Sequence, residues 1–274
     1  MSTYMANCIK ACHWDEFIPM GVANPSNKLV QGPPFLQLIR KTSIILFEYN
    51  SPNPTETSLE QDLTALIATY GSSHAISIEA EAFGGVLPSA ELLQKLGFQI
   101  NEGGMLRVKD ISGPTFTAGM DIPALGLLIS KVTPEDALWE QRISIESALF
   151  GYEKFGDGTY VANLRVALRN MWEQGDQHYL VLTESGEAVG YMTMRYRHGV
   201  AYLQGAGVLE AFRKKGITRK LLNVCVVEAQ QKGFDRIVTV GHDAPAESAW
   251  AAMGFTELLG RARSYRRQAL TAEP

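Results

Sequence analysis

The sequence predicts a two-domain α/β protein whose sheets are flanked by helices, and three observations carry that prediction. The chain has 274 residues, enough for two cores at roughly 100–200 residues each. From residue 127 onward, stretches with apolar residues at every third or fourth position alternate with short apolar runs, the periods of helix and strand. Leu96-Gly97-Phe98 reappears as Met253-Gly254-Phe255, each time after a short helical pattern, which points to a diverged internal duplication. The expected boundaries are a first domain over 1–111, a linker over 112–125 and a second domain over 126–274.

In the first domain, strand-like runs at 35–39 and 43–49 lead into a helix with Thr57 and Glu60 at capping-box spacing. Its apolar face is Leu59, Leu63, Leu66, Ile67 and Tyr70. A strand at 75–78, a helix over 89–96 and a hairpin turning at Glu102-Gly103-Gly104 follow. The Pro-, Gly- and Thr-rich stretch 112–123 has no sustained period and reads as the linker.

The second domain opens with a strand at 127–132. Thr133-Pro134-Glu135-Asp136 then has the form of a helix start, with Thr as cap, Pro at the first helical position and two carboxylates at the positive end of the dipole. That helix should run to about Phe150, and a second one carries Val161, Leu164, Val166, Ala167 and Met171. Strands at 178–183, 189–196 and 200–208 come next. A helix with the stripe Ile217, Leu221, Leu222, Cys225, Val226 and Ala229 follows and closes at Gly233. Cys225 on that stripe is a core residue. A buried-type strand at 236–240, a short helix through Trp250 to Met253, and strands from Phe255 and around 263–267 complete the domain.

Charge narrows the partners. Lysine plus arginine is 25 against 29 acidic residues, a net charge of −4. Residues 1–110 hold 7 basic and 11 acidic side chains and the remainder 18 of each. Neither part has the basic surplus that displaces counterions from nucleic-acid phosphates, so nucleic acid is not an expected partner. Cys8, Cys12 and Cys225 are too few for a disulfide framework, and Cys8 with Cys12 has no second pair to complete a zinc site. Reduced thiols and no metal are expected. No secretory leader pattern and no apolar stretch of about 18–20 residues is present, which gives a cytoplasmic protein with no membrane partner as the expectation.

The segment with chemical content runs from Val208 through Glu210, Phe212, Arg213-Lys214-Lys215-Gly216 and Ile217-Thr218-Arg219 to Leu222. It lies between a strand and an amphipathic helix. A glycine there permits close backbone approach, and the orphan amides and positive dipole end at the helix start favour an anion such as a pyrophosphate.

Arg213-x-x-Gly216-x-Thr218 after a strand ending in Val resembles the acyl-CoA motif of the GNAT superfamily of N-acetyltransferases. That motif is Arg or Gln, two residues, Gly, one residue, then Gly or Ala. The resemblance extends over about 126–268 and includes the order of elements and Gly254-Phe255. It implies two GNAT-like domains, each a mixed, mostly antiparallel sheet flanked by helices. In the second, the strands ending at Val208 and beginning at Arg236 splay apart to admit the pantetheine arm. It also implies acetyl-CoA as acyl donor, with the amides of Val208, Lys214, Lys215, Gly216, Ile217, Thr218 and Arg219 facing it and Arg213 and the lysines offering charge. Thr218 departs from the usual small residue; its extra bulk weakens binding or its hydroxyl adds a hydrogen bond.

The family's chemistry is direct attack of an amine on the thioester, which needs a base for the ammonium proton and an acid for the leaving thiolate. The tyrosine common four residues before the Gly of the Gly-Phe pair is Trp250 here, and the asparagine seven residues before that is Asp243. Indole is no proton donor to a thiolate at neutral pH. Another group or water must serve, with Trp250 packing on the pantetheine, or Tyr265 supplies the hydroxyl. Family bases project from the strand before Val208, which selects Tyr202 and Gln204. Gln204 is no useful base, so it is assigned to the substrate, and His242 is the alternative base with an ordinary pKa near neutrality. Tyr152 and Glu153, with Asp157 and Tyr160, are candidates for contacting the acceptor. The first domain lacks the cradle: its corresponding stretch, 50–58, contains Pro52, Pro54 and Glu56, which remove amide donors and repel phosphate. The reading is therefore a degenerate first half and a second half that transfers acetyl to a primary amine of a small molecule. Acyl-CoA binding without turnover, or acetylation of protein amines, is the alternative, and a homodimer is a possible assembly.

Overall fold

A computed structural model describes residues 3–79, 88–114, 121–122, 125–151 and 158–270. The chain divides into two compact units, one comprising Met1–Met105 with Gly260–Pro274 and the other Leu106–Leu259. The first unit thus takes in most of β12, and the second the last residues of β5, from Leu106.

In chain order the elements are α1 (Thr3–Ile9), a π turn (Lys10–Trp14), α2 (Asp15–Val22), β1 (Lys28–Val30), β2 (Phe35–Ile39), β3 (Ser43–Tyr49), α3 (Glu56–Tyr70), β4 (Ala75–Ile78), α4 (Ala90–Lys95) and β5 (Gln99–Asp110). There follow β6 (Asp121–Ile122), β7 (Leu127–Val132), α5 (Trp139–Phe150), α6 (Thr159–Glu173), β8 (Gln177–Leu182), β9 (Ala188–Arg197), β10 (Val200–Val208), α7 (Ile217–Gln231), β11 (Arg236–Gly241), α8 (Ala244–Ala252) and β12 (Glu257–Arg267). The helices before β1 had no counterpart in the sequence reading; they bury Cys8, Cys12 and Trp14.

In the first unit the strand order is β1-β2-β3-β4-β12-β5. Leu59 and Leu63 of α3 pack on Ile44, Leu46, Ile76 and Ile78, all fully buried. At about 1.5–3 kcal/mol for burying each large aliphatic side chain, this face holds α3 to the sheet. The helix starts two residues earlier than expected: Thr55, not Thr57, is its cap, and Thr55 and Ser58 satisfy one another's backbone amides. β12 lies antiparallel to β4, with Tyr265 opposite Ile78 and Arg267 opposite Ile76. This placement explains Gly103. No hairpin turns there, because β5 is one strand of 12 residues, and a Cβ at Gly103 would collide with the carbonyl oxygen of Ala262 in β12. The glycine marks a close backbone approach, the other standard reason for Gly inside a strand.

The second unit has the order β5-β11-β10-β9-β8-β7-β6. One face is covered by α7, whose Leu221, Leu222, Cys225 and Ala229 pack on Val181, Met192, Met194, Leu203 and Ile237. The other carries α5 and α6. The 133–136 segment forms a turn instead of the first turn of α5: Asp136 accepts the Thr133 amide at 2.5 Å, and the helix begins at Trp139. β5 reaches this unit through its last residues, from which Lys109 donates to the Met253 carbonyl and Arg107 to that of Phe255, holding the C-terminal end of α8. No helix among the described residues is long and apolar enough to cross a membrane.

A chain ending at Leu259 loses the strand that β4 pairs with. Amides of 76–78 and of β5 up to Met105 should then exchange with solvent much faster in hydrogen-exchange mass spectrometry, while protection of β8, β9 and α7 is kept. Equal loss in both units would contradict the pairing of β12 with β4.

Candidate functional site

The site begins where two strands part. β10 runs parallel to β11 only from Ala201–Leu203 opposite Ile237–Thr239, yet it stays paired with β9 as far as Val208 opposite Gly190. Thr239 Oγ1 donates to the Leu203 carbonyl at 3.1 Å, closing the last shared rung. Beyond it β10 has a partner on one side. The Leu209 amide donates to the Val189 carbonyl, which makes Val208 and Gly190 a non-hydrogen-bonded pair of the antiparallel ladder. The amide and carbonyl of Val208, and of Ala206 two residues earlier, accordingly point toward the β11 side. Residues 204–207 are half-buried. A bulge between Leu203 and Gly205 sets Gln204 out of register. Its amide nitrogen lies 3.6 Å from Met171 Sδ and its oxygen is buried without a partner.

The turn after Val208 is shaped by two positive φ angles, +62° at Lys214 and +76° at Gly216. Gly216 is the N-cap of α7 and supplies no side-chain cap. The first amide to find a carbonyl is that of Lys220, on Gly216; those of Lys214 through Arg219 have none among the described residues. Orphan amides at a helix start are what an anion needs, and a Cβ at Gly216 would meet nothing within 4 Å. The chain's own groups thus leave the cradle open, so the residues present fit a pyrophosphate. Ile217 is buried in the core, leaving its amide as its only contribution. Thr218 is half-buried on the first turn. Arg213 does more than offer charge: its Nε donates to the Val208 carbonyl at 3.0 Å and folds the turn back on the strand. Lys215 Nζ lies over the Phe212 ring at 5.0 Å, and Arg219 donates to the Ala252 carbonyl of α8.

On the α5 face the sheet is polar and dry. Arg195, fully buried, grips Asp176 with Nε and Nη2, and Arg197 adds a contact to the same carboxylate at 2.8 Å. Arg197 also donates to the carbonyls of Met171 and Gln174, tying the end of α6 to β9. Arg142 of α5 donates to Thr193 Oγ1 at 2.9 Å, pairs with Glu146 at 2.6 Å and stacks on Tyr191 at 4.0 Å. His178 Nδ1 lies 3.0 Å from the same Thr193 hydroxyl. Burial, followed by the charges of Arg142 and Arg195, holds His178 well below its usual pKa and therefore neutral. α5 approaches β10 closely: a Cβ on Gly207 would lie 2.5 Å from Leu149 Cδ1. None of Arg142, Glu146, Asp176, His178, Thr193, Arg195 or Thr239 was singled out by sequence. The readable trace is a set of polar residues inside strands that otherwise read as apolar.

Of the expected catalytic residues, Tyr202 is 2% exposed, inside β10 before the strands part. His242 is exposed immediately after β11. Asp243 accepts the Ala246 amide at 2.7 Å and caps α8, so its carboxylate is engaged in starting a helix. Trp250 packs edge-on against Phe255, ring centres 5.4 Å apart. Tyr265 belongs to the first unit, opposite Ile78. Tyr152, Glu153 and Asp157 lie outside the described residues. Cys225 is a buried thiol whose pKa burial raises, 3.5 Å from Met192 Sδ. Among the described residues no cluster of His, Cys, Asp and Glu has the form of a metal site.

Residues 142–255, which include the parted strands and the Gly216 turn, match the acetyltransferase (GNAT) family. No curated protein matches the chain. Among solved structures, a tandem GNAT protein from the clavulanic acid biosynthesis pathway is 13% identical, with 98% of this chain and 97% of that one covered and a TM-score of 0.63. A GCN5-related N-acetyltransferase from Sphaerobacter thermophilus is 14% identical over 97% and 91% of the two chains, TM-score 0.60. One from Kribbella flavida is 15% identical over 93% and 94%, TM-score 0.52. At these identities the likeness is one of fold. Residues 142–255 are thus similar to the acetyltransferase (GNAT) family, and the chain shares the α/β fold of the tandem protein.

His178 provides a test of the buried network. Its folded pKa is depressed, so below about pH 6.5, the unperturbed histidine value, the unfolded chain binds a proton that the folded one does not. Stability should fall with decreasing pH from there by up to about 1.4 kcal/mol per unit, and gain no pH dependence from His178 above it. His13 in the first unit, raised by Cys12 and Glu79 against the opposing effect of burial, contributes with the opposite sign. The readout is therefore the difference between wild type and His178→Asn in urea unfolding from pH 5 to 7.5, and the variant's slope should be the less positive of the two.

Proposed function

We propose that the second unit binds acetyl-CoA and transfers its acetyl group to a primary amine, of a small molecule, by direct attack in a ternary complex. The single observation that carries this is the parting of β10 from β11 beyond Leu203 and Thr239, with the uncapped amides of the Gly216 turn one strand-end away. The thioester arm would pair with the outward amide groups of Ala206 and Val208, and the pyrophosphate would sit on the amides of 214–219 beside Lys214 and Arg213. The amine nitrogen then bonds to the thioester carbonyl carbon. The C–S bond breaks as the tetrahedral intermediate collapses, the amine proton goes to a base and the thiolate takes a proton from solvent or an acid.

For the base we favour His242 over Tyr202. His242 is exposed at the C-terminal end of β11, the strand that borders the opening, whereas Tyr202 is sealed beneath α5 and α6. Asp243 supports it indirectly by fixing the start of α8. Trp250, held against Phe255, would form an apolar wall for the arm, and water would protonate the thiolate. Gln204, with its unpartnered oxygen, suits an acceptor's hydrogen-bond donor. A second reading, acyl-CoA binding without turnover, is favoured by that same Trp250 in place of a hydroxyl.

Calorimetric titration with acetyl-CoA, followed by thiol release with a panel of amines, separates the readings: binding with release supports transfer, and binding alone supports the second. Gly216→Glu puts a strained residue and a negative charge into the cradle and should abolish binding under either. Unchanged affinity would overturn the cradle. His242→Ala should lower kcat/KM about 10²–10⁴-fold, the usual worth of a general base, and erase the acidic limb of the pH profile. A profile identical to wild type would remove His242 from the mechanism.

A further inference from the structure

We propose that the first unit carries a binding site for a medium-chain carboxylate, an apolar tail with one anionic head, separate from anything the acetyl-transfer reading uses. A cavity of about 510 Å³ lies beside α4, β5 and β12, with Leu93, Phe98, Ile100 and Tyr265 as its apolar lining. Its size falls within the roughly 300–1,000 Å³ of small-molecule sites. A second cleft of about 330 Å³ shares Gly97 and Gln99 with it and is lined by Arg266, Arg267 and Leu270. Neither lining includes a carboxylate side chain.

The charges select the head group. Residues 1–105 hold 5 basic and 10 acidic side chains, and the segment 260–274 brings four arginines to them. Two of these are committed to one carboxylate: Arg261 and Arg263 approach Glu102 at 3.9 and 3.4 Å. Arg267 donates through Nη1 to the carbonyls of Gly71 and Gln268, which fixes its guanidinium next to Gly97 while leaving its positive charge uncompensated. Arg266 is exposed and has no hydrogen-bond or ion-pair partner among the described residues. Arg266 and Arg267 thus both line one cleft, a setting for a planar carboxylate. For the tail, Ile100 of the larger cleft and Leu270 of the smaller stand 56% and 77% exposed, apolar surface that an alkyl chain laid against them would cover.

The test is calorimetric titration of the full chain with decanoate below its micelle concentration, with decylamine as the charge-reversed probe. Decanoate should bind at one site per chain and decylamine should not. Arg266→Glu and Ile100→Glu, both at exposed positions, should each weaken decanoate about tenfold or more while leaving the melting temperature and the acetyl-CoA titration unchanged. That last comparison separates failure of this site from failure of the transferase reading. No decanoate binding, equal binding of decylamine, or wild-type affinity in both variants would overturn the proposal. So would binding to phosphatidylglycerol vesicles in the absence of any response to free decanoate, which would make the patch a membrane contact.

Discussion

Beyond Leu203, β10 has a neighbour on one side only, and the rest of the second unit is arranged around that fact. An unpaired backbone edge is costly when buried, about 1–3 kcal/mol for each unsatisfied group, so a sheet can open only where water or a ligand reaches the edge. The half-burial of 204–207 meets that condition. The opening is held in place by its surroundings: the antiparallel ladder with β9 continues to Val208, the Thr239 hydroxyl closes the last rung, and the apolar stripe of α7 fixes the helix whose uncapped end faces the gap. Arg213 then joins strand and turn through the Val208 carbonyl. One conserved quantity runs through these contacts: every chain group that would otherwise fill the gap is engaged elsewhere.

The buried arginines have a different task. An ion pair such as Arg195–Asp176, with both side chains fully buried, is weak evidence of net stability, since desolvation offsets its attraction. Removing one partner is nonetheless costly, about 3–5 kcal/mol, because it strands a charge. Its value is positional. Asp176 collects Arg195 and Arg197, and Arg197 holds the end of α6; Arg142 is positioned by Thr193 and His178 and stacks on Tyr191. α5 is thereby set at the distance where Leu149 rests over Gly207, so the helix that covers the open part of β10 is located by directional polar contacts instead of by grease alone.

Local signals were legible and non-local ones were not. The stripe on α7, the strand at 200–208 and the glycine at the head of the cradle follow from periodicity and turn chemistry within about fifteen residues. Val208 through Arg219 therefore stand where the spacing placed them. Gly103 read as a turn because sequence shows that a residue is small, not which distant backbone approaches it; Ala262 does. The pairing of β12 with β4 was hidden for the same reason. Asp243 was matched to the family's asparagine, yet an aspartate two residues past a strand and opening a helix has a local use as cap. The polar network under α5 left only isolated Arg, His and Thr within apolar runs, and no local rule joins residues 142, 176, 178, 193 and 195.

The two halves show how little separates a binding turn from a structural one. Both place a helix after a strand that runs parallel to the next strand, β3 to β4 and β10 to β11. At α3 the amide of Ser58 goes to Thr55 Oγ1, the Ser58 hydroxyl returns to the Thr55 amide, and Glu56 adds negative charge to the first turn. The chain thus takes up one of the first-turn donors itself and sets a carboxylate beside the others. At α7 the cap is Gly216, which has no oxygen to offer, and the flanking side chains are Arg213, Lys214, Lys215 and Arg219. A side-chain cap is worth about 0.5–2 kcal/mol to a helix. Its omission at α7 is a stability loss that the buried face of that helix absorbs and that a bound anion would recover, whereas at α3 nothing remains to recover. The start of α7 therefore keeps room for an anion that the start of α3 disfavours, and the difference resides in a handful of residues at one helix end.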